Sequence, residues 1–177
     1  MSKKYRKMLN DINAPYLQSL MKLIETQSKI TLVKWCLEYA ENHLLHIYEK
    51  HYSNDFRPRK SIESGKEWLA GNIKFPEIKK IILNCHQAAR EAEDNPIAQA
   101  VARACGQVTS TIHVPTHSLG LALYGALAIA YDIVGIDVKW NIILSVASKE
   151  CNKMEEALKK ISIENEPNPV KINWKCR

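Results

Sequence analysis

Nothing in this 177-residue sequence is arranged as a disulfide frame, a zinc site or a phosphate-gripping loop. Its five cysteines (Cys36, Cys85, Cys105, Cys151 and Cys176) are odd in number and far apart, with no CxxC or CxxH pair. That pattern fits reduced thiols in a cytoplasm, and those on apolar helical faces read as small core residues. No apolar stretch follows the leading MSKKYRKML, so no signal peptide is expected. The longest apolar run, Leu119 to Tyr131, has 13 residues and stops at Asp132, whereas a membrane span needs ~20. It reads as a buried core helix, and the protein as cytoplasmic with no membrane partner. Glycine-rich phosphate loops, nucleophile elbows and strand-like alternation are also missing.

What is present is an ordinary globular composition, 46% hydrophobic and 25% charged. A chain of this length forms one domain able to bury roughly 70% of its unfolded surface. The net charge of +6 sits wholly in the first half, where residues 1–80 hold 15 Lys/Arg against 9 Asp/Glu. A basic half can attract nucleic acid. These lysines, however, are dispersed along helices with no interleaved aromatic-glycine motif, which favours a solvated basic face.

Prolines and capping residues divide the chain into about seven helical segments. Asn13-Ala14-Pro15 opens the first; the second covers about 29–50, with Leu32, Cys36, Tyr39, His43 and Ile47 on one stripe. Arg57-Pro58 opens a third that ends near Gly71-Asn72, and Phe75-Pro76 a fourth whose Ile78, Ile81, Ile82, Cys85, Ala88, Ala89 and Ala92 form a narrow apolar seam. Asn95-Pro96 and Pro115 open the fifth and sixth. Between residues 95 and 131 the single charged side chain is Arg103, so these two helices, about 95–113 and 115–135, are expected at the centre of an all-α, single-domain bundle. The seventh, about 138–161, is amphipathic. The helical domain is expected to cover 1–162. Residues 163–177 form an extended C-terminal tail, which Trp174 is placed to dock back.

Candidate chemistry lies between residues 86 and 117. His86 and Arg90 stand one turn apart on the flank of the fourth helix's seam. Arg103, alone in an apolar helix, is too costly to bury without an acceptor or an anion. His113, Thr116 and His117 surround Pro115, which ends or kinks the fifth helix. Together these six residues form either a small-ligand or anion pocket or a structural polar network. The proline between His113 and His117 spoils their i,i+4 spacing as metal ligands, and His86 joins them only by tertiary coincidence, so neither metal nor cofactor is expected. Ser110, Ser118 and Cys105 lack the setting of a nucleophile. No Arg is followed by a His four to six residues later, the spacing of one all-α class of ribonucleases.

Taken in order, Ile62-Glu63, Trp68-Leu69-Ala70-Gly71, His86-Gln87-Ala88-Ala89-Arg90, Ala102-Arg103-Ala104-Cys105-Gly106 and His113-Val114-Pro115-Thr116-His117 carry a resemblance. Over roughly residues 59–128 the chain resembles the Imm-5-like group of bacterial immunity proteins, which share H-x-A-A-R, A-R-x-x-G and H-V-x-x-H elements. The resemblance implies an all-helical, non-catalytic protein that neutralises a cognate toxin by stoichiometric binding, and it transfers no catalytic residues. Blockers of basic nuclease toxins present acidic surfaces, so a chain of +6 points away from a nuclease target. Two other readings stay open: a ligand-binding protein or enzyme using the His/Arg pocket, and a basic nucleic-acid-binding module.

Overall fold

The computed structural model describes residues 5–175. It places α1 at Pro15–Ile24, α2 at Lys29–His43, α3 at Leu45–His51, α4 at Arg57–Leu69, α5 at Phe75–Glu91 and α6 at Pro96–Ser110. A 3-10 turn at Pro115–Leu119 and a π-helical segment at Leu121–Ala126 lead into α7 at Leu127–Val134, and α8 covers Trp140–Ile161. Prolines stand in the first turns of α1, α4, α5 and α6, where a missing N–H costs nothing. Side-chain caps add to them. Ser28 Oγ accepts the Thr31 N–H at 3.3 Å, and Asn95 Oδ1 accepts the Ala98 N–H at 3.1 Å. Gly135, at φ 81°, ends α7 in a conformation that side chains resist.

The all-helical expectation holds, and α6 is its centre. It packs on α2, α3, α4, α5, both irregular turns and α7. Its small residues make this possible: Ala98, Ala102, Cys105 and Gly106 are buried, and so are Cys85, Ala88 and Ala89 on the facing side of α5. The thiols of Cys36, Cys85, Cys105 and Cys151 are free and buried, and burial pushes them up, Cys85 and Cys151 to about 12. They behave as small apolar residues. Cys176 lies outside the described residues.

Three expectations need correction. The second segment is not continuous to residue 50. It breaks at Leu44, and the break lets consecutive Leu44 and Leu45 both be buried. His43 is exposed rather than part of the buried stripe, its ring lying 4.3 Å from that of Tyr39. The second central helix, moreover, is a composite. Leu44 closes on Gly125, where an added Cβ would lie 3.1 Å from its Cδ1, and the backbone there takes the wider π turn. By length and composition, residues 115–134 could cross a membrane. With 72% of that apolar window buried inside the protein, they occupy the position of a core helix.

On α8 the buried stripe of Ile143, Ala147, Cys151, Met154 and Leu158 includes two carboxylates, Glu150 and Glu155. Each is satisfied from a neighbouring helix: the Tyr39 hydroxyl donates to Glu150 at 2.6 Å and the Ser19 hydroxyl to Glu155 at 2.8 Å. Lys153 and Lys159 add charge at 3.1 and 3.0 Å. Beyond α8 the chain is extended and returns to the α1–α2 turn. The buried Gln27 accepts the Ile163 N–H on its Oε1 at 2.8 Å and the Val170 N–H on its carbonyl at 2.9 Å. The Trp174 indole donates to Glu25.

Close packing about α6 can be tested at Gly120. A Cβ there would lie 2.4 Å from Gln107 Cβ, an atom fixed to its own backbone. Gly120→Ala should therefore lower the unfolding free energy by about 1–3 kcal/mol, read as a shifted denaturant midpoint with unchanged slope. An unshifted midpoint would remove α6 and residue 120 from close apposition.

Candidate functional site

Three elements build the polar corner: the middle of α5, the second half of α6, and the turn at Pro115–Leu119. His86 lies on α5 opposite Gly106 of α6, and its imidazole rests on the glycine backbone. A Cβ at position 106 would come within 2.5–2.9 Å of three of its ring atoms. One turn before Gly106, Arg103 directs Nη1 at His86 Nδ1, 3.4 Å away. A guanidinium can only donate, so Nδ1 is the bare nitrogen and the ring proton sits on Nε2. One turn after Arg103, Gln107 sends Oε1 to within 2.7 Å of His117 Nδ1, which therefore carries the proton. Arg90 is exposed one turn beyond His86, its Nε–H donating to Gln87 at 2.8 Å.

Four of the six sequence candidates, His86, Arg90, Arg103 and His117, thus share one electrostatic neighbourhood. Burial pushes His86 down to about 4, and the charges of Arg103, Arg90 and His117 add to this. The ring is neutral at physiological pH. His117 is lowered by burial and by His113. His113 stands at the edge, exposed and stacked on Phe75 at 4.8 Å. Thr116 and His117 line an open pocket of ≈450 Å³ together with Met8, Gln107, Leu123 and Tyr124. Gln107 is the site residue that sequence reasoning passed over. Its signal was its position four residues after Arg103, on the face that Gly120 leaves open.

Candidate nucleophiles are committed elsewhere. Ser110 Oγ and Ser118 Oγ each donate to a backbone carbonyl at 2.7 Å, and the Cys105 thiol is buried with its pKa well above the ordinary value. Among the described residues no three His, Cys, Asp or Glu side chains converge as a metal site. The corner is equipped to donate hydrogen bonds and to present positive charge.

Among the described residues, the class the geometry defines is an α domain of eight helices with a cationic notch whose guanidiniums are bonded to no carboxylate. Within it the chain matches the family described as Imm-5 like putative immunity protein over residues 22–157, wider at both ends than the motif-bearing stretch. It belongs to that family. No curated protein and no solved structure matches it.

The neutral His86 sets a pH dependence. Unfolded, it takes up its proton near the ordinary 6.5, and folded only near 4. Between these values the unfolded chain binds more protons, so stability falls as pH drops through that window. His86→Gln should flatten this fall, leaving the share due to His117; denaturation curves at about pH 7 and about pH 5 measure it. Identical pH slopes in the two proteins would mean that His86 is not held neutral. Gly106→Ala should displace the ring and raise its pKa toward the ordinary value, read by NMR titration.

Proposed function

We propose that the protein neutralises a cognate toxin by binding it stoichiometrically, with no chemistry of its own. The observation that carries the reading is membership of the Imm-5-like family across residues 22–157. Two further features support it. The serines and the cysteine nearest the histidines are tied into the fold rather than poised for attack. The charge excess of residues 1–80 suits a partner with an acidic face, whose approach opposite charge would accelerate. Such a partner is unlike a basic nuclease. Free, buried thiols suit action in the reducing cytoplasm.

The test is co-expression with the product of the gene immediately upstream. Growth should be restored, and the purified pair should elute as an equimolar complex whose association rate falls with added salt. A toxin that still kills in the presence of folded protein, with no complex formed, would overturn the proposal.

A further inference from the structure

Two of the described arginines are held by acids: Arg57 bridges Asp55 and Glu91 at 2.7 and 2.6 Å, and Arg59 grips Glu49 at 2.6 Å. Arg6 instead donates to Asn10 and lies over Trp140. Arg90 and Arg103 stand near each other with no carboxylate partner for either among the described residues. Proximity in sequence does not supply one, for Glu91, next to Arg90, is turned to Arg57 and Gln87. Two guanidiniums therefore stand beside two imidazoles with no carboxylate bonded to either among the described residues, and Arg103 is half-buried, where water alone compensates a charge poorly.

The donors also face outward. Among the described residues no buried side-chain nitrogen or oxygen lacks a partner, and none accepts from His86 Nε2–H, so that group opens to solvent. Among the same residues nothing engages Nε and Nη2 of Arg103 or the two terminal nitrogens of Arg90. Two fixed positive charges with five or more donors exceed what one carboxylate can use. They match a tetrahedral dianion, whose oxygens each accept two bonds. His117 continues the strip into the ≈450 Å³ pocket, where Leu119, Leu123 and Tyr124 offer an apolar wall.

We propose that Arg90, His86 and Arg103 form a binding site for the phosphate group of a small organic phosphate, whose body lies against His117 and Tyr124 in the adjoining pocket. The site goes beyond toxin binding and does not depend on it. Protein labelled with 15N at histidine, at neutral pH, is titrated by NMR with inorganic phosphate, with phenyl phosphate and, at matched ionic strength, with chloride. Phosphate should shift the His86 ring saturably in the about millimolar range, and phenyl phosphate should bind more tightly and shift the His117 ring as well. Arg103→Gln and the exposed Arg90→Gln should each weaken binding by about tenfold, the loss expected for a charge-assisted bond, and Arg90→Gln leaves the core untouched. Chloride shifts equal to those of phosphate, or unaltered affinity in both variants, would overturn the site. A short single-stranded RNA that displaced phenyl phosphate and bound more tightly would overturn the small-ligand assignment. The readout is anion binding, so it fails or succeeds independently of protection against a toxin.

Discussion

The fold depends on how closely α5 and α6 approach. Cys85, Ala88 and Ala89 on one helix meet Ala98, Ala102, Cys105 and Gly106 on the other, so that the Cys85 thiol reaches the Ala102 carbonyl at 3.3 Å. Such packing forfeits the large apolar area that leucines would bury, and recovers part of it through dense van der Waals contact. It also has a local consequence. At Gly106 the approach leaves room for one flat ring, and the ring is an imidazole. The step that closes the core therefore also creates the polar corner, and the site cannot be altered without touching the packing.

A parallel economy operates at Gly120. There the glycine admits the stem of Gln107, whose amide oxygen then holds His117 in one tautomer. Two glycines thus seat two histidines, one directly and one through a glutamine. The orientation of each ring is set by a side chain of α6, Arg103 in one case and Gln107 in the other, spaced four residues apart on one helical face. The buried helix serves as the frame on which the corner is aligned.

Much of this was legible because its causes are local. Prolines at 15, 58, 76, 96 and 115 mark real helical starts, and the chargeless span around Arg103 marks real burial. The cost argument about a lone guanidinium required an acceptor for Arg103 without naming it, and in the structure His86 Nδ1 stands there. The failures have tertiary causes. Leu44 carries no glycine or proline to announce a break, since the break is set by its docking on Gly125, 81 residues away in a segment whose π turn looks like α-helix in sequence. The burial of Glu150 and Glu155 has no local sign, because the Tyr39 and Ser19 hydroxyls that make it tolerable lie on distant helices.

The placement of acids separates structural charge from charge with another use. The two buried carboxylates are each given a hydroxyl and a lysine, and Arg57 and Arg59 are given one or two carboxylates. A corner selected for stability alone would follow the same rule, or would replace Arg103 with an apolar residue, since an unpaired charge among buried alanines contributes nothing to packing. Instead the strain is relieved on the imidazole side: His86 sheds its proton, which removes one like charge and leaves a donor facing outward. That solution keeps both guanidiniums charged, each engaged through one nitrogen with a neutral side chain and paired with no carboxylate among the described residues, at a standing cost in stability. Such a cost persists where an arrangement is retained for what it can hold, and in this corner what fits is negative.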